Sequence, residues 1–529
     1  MPIKYSADKD KPRRFCRTRK NKPSILTKHT HQLLNYIERQ PIQSFRLSNT
    51  STDCFIKLIK KIHHSSVNTP SYKLDNIPPS EMPQVISEFE KTRESQLIPS
   101  SIWTDISTSE KIGRIVSAQL HGRTVHLFLI LPKSASGNSR IFTSEKHANS
   151  FFNTCARRII IWLDIVLQFS GKECASTLDC YLFFTDDLKK LPKKSTEHIQ
   201  LNDGGGRRDT ITPKHANTAF TYSCVPSAKI VLFRMEEWFK VFIHETFHCF
   251  GLDFSQMNVT ESNKHMSKLF PKCQSHMDFR IYETYCETWA ETINILFIAY
   301  FSVFEESHLG NCGHVEVKHT RRCSMKCRKE FSISGKCSCC PPNRGGYVRP
   351  YRRELRQSHI LHILKQFEHM IQRERMFSIF QMSKILAHHS LQYADLCRTL
   401  DNLPKYTEET QVFAYYIVKP ILLFHLNEFV EWCNKHNGDN TMLLFKKTES
   451  NIREYGNLIE RLYMLPAFVK IVETEQTKYS LLSSKLSASA RTPERRRSVG
   501  VRVLSRDGLL SKDNPLDTLR MSLFEMQTT

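Results

Sequence analysis

Val241-Phe242-Ile243-His244-Glu245-Thr246-Phe247-His248-Cys249-Phe250-Gly251 is the stretch on which the reading of this chain turns. On a helix, positions four apart share a face, so His244 and His248 present two imidazoles to one point. Two imidazoles at that spacing are a donor pair for a transition-metal ion, and Glu245, one residue on, can reach a water held there as general base. Trp238, Phe239, Val241, Phe242, Phe247 and Phe250 bury the remaining faces of a run that starts near Met235, and Gly251 is a natural C-terminal stop.

A zinc ion in a hydrolytic site needs three protein ligands and one open position. The metzincin spacing H-E-x-x-H-x-x-G-x-x-H fits Gly251 but puts Phe254 where a ligand is required, with Asp253 one residue early. The other source is Tyr282-Glu283-Thr284-Tyr285-Cys286-Glu287-Thr288-Trp289-Ala290-Glu291, where three glutamates spaced by four line one helical face. Stacked carboxylates in an otherwise apolar helix are costly unless something cationic neutralises them. Glu287 is assigned as third ligand, and Glu291 as the carboxylate that fixes the tautomer of a ligand histidine. The alternative is Glu283 as ligand with Glu287 behind it.

Around this centre the 529 residues leave room for two or three domains. Hydrophobic content of 40% with 33 Phe excludes a mostly disordered chain. No apolar run approaches the roughly 18 residues of a membrane span; the nearest, 293–304, is short and flanked by Glu291 and Glu305. Residues 1–100 read as a basic, largely disordered region with the cluster Lys11-Pro12-Arg13-Arg14 and Arg17-Thr18-Arg19-Lys20, a short helix within 53–63 and Asp53 as its N-cap. Strand patterns at 114–120 and 124–131 flank a turn at His121-Gly122. A helical pattern covers 145–169, strands are expected at 178–184, 216–222 and 229–233, and a long helix at 279–304. The order implies an α+β catalytic domain over 101–309, a mixed sheet plus the site helix. A Cys-rich insert follows at 310–350, then a mainly helical lobe at 351–475 with Leu361, Leu364, Phe367 and Met370 among its apolar positions. The Ser/Arg-rich 476–529 reads as a disordered basic tail.

H-E-x-x-H followed by a downstream helical Glu-x-x-x-acid resembles the gluzincin zinc metallopeptidases. The text from Arg234 to Phe254, with 282–291 and Val412-Phe413-Ala414-Tyr415-Tyr416-Ile417, is similar to uncharacterised metallopeptidases of large nucleocytoplasmic DNA viruses. The resemblance covers about residues 110–475. It implies a zincin-like fold, one catalytic zinc, a polypeptide substrate and Glu245 as catalytic base. It also implies an edge strand that pairs with substrate, here Asn217-Thr218-Ala219-Phe220, and an oxyanion donor from the helical lobe, for which Tyr415, Tyr416 and His425 are the candidates.

Cys323-x3-Cys327-x9-Cys337-x2-Cys340 supplies two close thiol pairs and resembles a structural zinc knuckle, a second candidate metal site. The excess of 76 Lys+Arg over 53 Asp+Glu, formally +23, suits nucleic acid or an acidic protein as partner through the basic tails. The competing function is therefore a nucleic-acid- or virion-associated binding protein on a zincin scaffold. Seventeen cysteines without a small-scaffold framework, and no secretory leader, favour a reducing cytoplasmic or nuclear compartment of an infected cell, or the virion.

Overall fold

The computed structural model describes residues 34, 37, 44–91, 97–132, 145–192, 210–310, 354–398, 406–438, 441–491 and 517–526. It is an α+β protein built on one six-stranded mixed sheet in the order β1-β2-β3-β4-β6-β5. The strands are β1 (Tyr72–Asn76), β2 (Lys111–Leu120), β3 (Arg123–Pro132), β4 (Thr177–Phe183), β5 (Ala219–Thr221) and β6 (Ser227–Leu232). β2 and β3 form a hairpin whose two loop residues, His121 and Gly122, both have positive φ, the conformation that matches strand twist. β3, β4 and β6 then run parallel, and β5 returns antiparallel as the outermost strand.

Period-two alternation sends each strand's side chains to two different cores. Val125, Leu127 and Leu129 of β3, with Leu178, Cys180 and Leu182 of β4, face the main core. Ile130, Tyr181, Phe183 and Val231 face a smaller one, closed by helices α2 (Met82–Glu90) and α3 (Ser100–Thr108) through Met82, Val85, Ile102 and Ile106. On the main side lie α4 (Glu145–Val166), the crossover between β3 and β4, and α5 (Trp238–Cys249), which carries His244 and His248.

The rest of the main core is helical. After α6 (Thr260–Leu269) comes α7 (Ile281–Gly310), then α8 (Gln357–His388) and α9 (Lys419–Phe424). Further along the chain come α10 (Leu426–Asn437), α11 (Glu449–Leu462) and α12 (Pro466–Arg491). α6 lies in the polar stretch between α5 and α7. In α8 the periodic apolar residues are buried, except Leu361, which is 58% exposed. One hydrophobic cluster runs from Phe45 through both halves to Phe524, so the sheet portion and the helical lobe share a core.

Two expectations need correction. The first hundred residues are not largely disordered over 44–91: α1 (Asn49–Val67) buries Cys54, Phe55, Leu58, Ile59 and Ile62. Its cap is Ser48, whose Oγ accepts from Ser51 N at 3.2 Å, not Asp53, which falls inside the helix. Nor is the whole of 476–529 a disordered tail. α12 continues to Arg491, and 518–524 are buried against the centre of the molecule. Cys174 and Cys224 form a disulfide beneath the C-terminal end of α5, a pairing the sequence did not signal. No described helix is long and apolar enough to cross a membrane.

Candidate metal centre

α5 is buried along its whole length. Its far face is pinned to α4, where Trp162 Nε1 donates to Thr246 Oγ1 at 2.9 Å and the indole stacks on Phe247. Gly251, at φ 64°, closes the helix in the left-handed region that favours glycine, and Leu252 N reaches back to Phe247 O at 2.8 Å. The opposite face thus aims Lys240, His244 and His248, spaced by four, at α7.

Three donor atoms converge there. His244 Nε2 and His248 Nε2 are 3.2 Å apart, and Glu283 Oε2 lies 3.1 Å from the first and 3.4 Å from the second. Each histidine's other nitrogen meets a second carboxylate: His244 Nδ1 is 3.0 Å from Glu287 Oε2, and His248 Nδ1 contacts Asp253 Oδ2. With an ion bound, a carboxylate on Nδ1 would hold the proton there and free Nε2 to act as a ligand. Once both Nε2 atoms have lost their protons, they and the carboxylate oxygen repel unless a cation sits between them. Bonds of ~2.0–2.1 Å at tetrahedral angles place donors about 3.3 Å apart, so the spacing suits zinc. His244, His248 and Glu283 are the residues that fit the ion.

The oxygen that converges with the two Nε2 atoms belongs to Glu283, the alternative considered, and not to Glu287, the residue assigned as third ligand. Glu287 stands behind His244, and its other oxygen takes Lys240 Nζ at 2.5 Å. Glu291, expected behind a histidine, instead takes Lys419 Nζ at 2.5 Å and touches neither imidazole. The three stacked carboxylates are neutralised by three different partners: the histidine pair, Lys240 and Lys419. Lys240 was legible as the residue four before His244. Lys419, in an apolar run, was not linked to the site by any sequence signal. Asp253, rejected as a ligand, serves His248 from behind, and Phe254 packs on Phe445 with ring centroids 4.2 Å apart.

The electrostatics follow from burial and partners. Burial alone would lower the His244 pKa, but Glu283 and Glu287 outweigh it and carry it to about 9. Burial resists ionisation of Glu287 too, yet Lys240 and His244 hold its carboxyl well below the usual range. Burial pushes Glu245 up, with His244 and His248 pulling it back. A carboxyl raised in this way is a stronger proton acceptor than an unperturbed one.

A cleft of about 250 Å³ opens over these groups. Its walls include Glu245, Val241, Arg280 and Tyr415, and along one side Asn217, Thr218, Ala219 and Phe220. The last two belong to β5, which pairs with β6 on one side and has no strand beyond it among the described residues. Of the three oxyanion candidates, Tyr415 reaches the site, its hydroxyl donating to Glu283 Oε2 at 2.9 Å. Tyr416 turns the other way and donates to Leu519 O, and His425 faces Glu428 at 3.7 Å. Cys323, Cys327, Cys337 and Cys340 lie outside the described residues, as do the basic clusters at 11–20 and 495–497.

No protein-family model, curated protein or solved structure matches the chain.

Proposed function

We propose that the chain is a zinc-dependent peptidase of the gluzincin type, with His244, His248 and Glu283 holding the ion. The observation that carries this reading is the convergence of two imidazole Nε2 atoms and a carboxylate oxygen at 3.1–3.4 Å, with a base beside them in a cleft. When bound, zinc supplies Lewis acidity, polarising a carbonyl and lowering the pKa of a water to about 7. Glu245 takes the proton of the attacking water and returns it to the leaving amine. Tyr415 stands where it can donate to the oxygen that gains charge as the carbonyl becomes tetrahedral. The outer edge of β5 offers backbone N–H and C=O groups to an extended substrate, which suits polypeptide.

The test is a peptide-library cleavage screen run with zinc analysis. Wild-type protein should carry about one equivalent of zinc at this centre and produce defined cleavage sites. Glu245→Gln should keep the zinc and lose at least about a hundredfold in rate. Full cleavage by Glu245→Gln, or absence of zinc from the wild type after loading, would overturn the reading.

A further inference from the structure

Residues 517–526, Asp-Thr-Leu-Arg-Met-Ser-Leu-Phe-Glu-Met, form no helix and make a single strand-like bridge, Lys190 to Thr518. The segment is nonetheless buried from Thr518 to Phe524. Its backbone is read by side chains of other elements, group by group. Glu237 Oε1 accepts from Met521 N at 3.0 Å and from Ser522 N at 2.5 Å. Glu374 Oε1 accepts from Leu523 N at 2.9 Å and Phe524 N at 2.8 Å.

The carbonyls are held the same way. Lys384 Nζ donates to Thr518 O at 2.6 Å, Gln381 Nε2 to Arg520 O at 2.5 Å and Lys419 Nζ to Met521 O at 3.1 Å. Leu519, Met521, Leu523 and Phe524 set apolar side chains in the main core, as a segment filling a hole would, but the backbone is held by polar groups as well. Carboxylates on the N–H groups, with amino and amide groups on the C=O groups, are the chemistry by which a protein grips a peptide backbone, and one carboxylate oxygen reaching two successive amides fits the bends at Met521 and Leu523. Buried carboxylates and ammonium groups are tolerable only while such partners are in place.

We infer that Glu237, Glu374, Gln381, Lys384 and Lys419 build a receptor groove for a bent peptide segment, occupied by residues 517–526 of the same chain as a tethered ligand. The groove adjoins the metal centre. Met521 lines the catalytic cleft with Sδ 3.7 Å from Lys240 Nζ, and Lys419 holds both Met521 O and Glu291. Filling the groove therefore fixes the two lysines that neutralise Glu287 and Glu291, and so the carboxylate behind His244. This last step rests on the metal reading above; the groove itself does not.

The experiment places a site-specific protease sequence within 492–516 of the 529-residue chain, cuts it, and adds a fluorescent synthetic peptide of sequence 517–526. The cut piece should co-elute with the body, and excess labelled peptide should replace it. A peptide with Ser522→Pro, lacking the N–H that meets Glu237, should compete at least about tenfold more weakly. In the cut chain, Glu374→Gln should speed release of the piece by a similar factor. With the groove emptied, zinc occupancy at fixed free zinc should fall, and added peptide should restore it. A folded body that never takes up label, or a Ser522→Pro peptide that competes as well as the parent, overturns the groove. Exchange with unchanged zinc occupancy overturns its link to the centre. A body that exchanges peptide yet never binds zinc counts against the metal reading alone.

Discussion

Glu283 and Glu287 sit one turn apart on α7, and a rotation of that helix by one turn's worth of register separates a ligand from its support. Which of the two meets the Nε2 atoms of the histidine pair was not legible in the sequence, because both lie on the same face and spacing alone cannot say how far α7 slides along α5. Lys240 decides it: the buried ammonium draws Glu287 down and away from the converging nitrogens. The two carboxylates should separate on mutation. Glu283→Ala should abolish zinc binding measured by competition with a chromogenic chelator. Glu287→Ala should weaken it by about 10–100-fold while leaving one ion per chain at saturation. Equal losses from the two variants would contradict the assignment. The histidines and Glu245, by contrast, were readable from five residues, since a helix fixes the relation between i and i+4 without help from the rest of the fold.

Tyr415 reaches the site through an unusual element. Residues Ala414–Val418 form a π-type turn that runs into α9 two residues before the first-turn Pro420. Proline has no N–H for the carbonyl of Tyr416, four residues back, and a wider turn accommodates that loss. No pattern rule distinguishes the two tyrosines, so the sequence left both open; the widened turn sends one hydroxyl to Glu283 and the other to Leu519 O. Tyr415→Phe should lower kcat by roughly a hundredfold with little change in KM, the signature of a donor used in the transition state. The turn is held from its N-terminal side by Glu408, which accepts from Phe413 N at 2.6 Å and from Tyr406 Oη at 3.0 Å. Burial pushes the Glu408 carboxyl up to about 8, although both donors oppose it. A carboxyl whose folded pKa exceeds its unfolded value binds more protons folded than unfolded, so its contribution to stability falls as pH rises from about 4.5 to 8. Glu408→Gln keeps an acceptor and removes the titration. Between pH 5 and pH 8.5, urea denaturation should show the wild type losing about 1–3 kcal/mol more than this variant.

At the scale of the molecule, the α+β class and five of the six strands followed from alternation and turn residues, whereas β1 and the sharing of one core between the sheet and the helical lobe did not. Apolar periodicity shows that a helix has an inner face but not which element covers it. Here α7 packs both α5 and α8, and one cluster joins residues on either side of 310–350. Thermal unfolding followed by near-ultraviolet dichroism and by calorimetry should therefore give one coincident transition; two resolved transitions would mean separable lobes. The distances along the chain between partners carry a further consequence. Leu47 N is bonded to Glu368 and Ser48 N to Asn427, pairs 321 and 379 residues apart, while Glu237 waits for amides 284 and 285 residues downstream. Contacts of such long range close loops that cost entropy before they return any binding, which makes folding slow and leaves partly formed chains exposed to aggregation. The histidine helix closes its hydrogen bonds within a few residues, whereas the charges around it are balanced only by partners far along the chain.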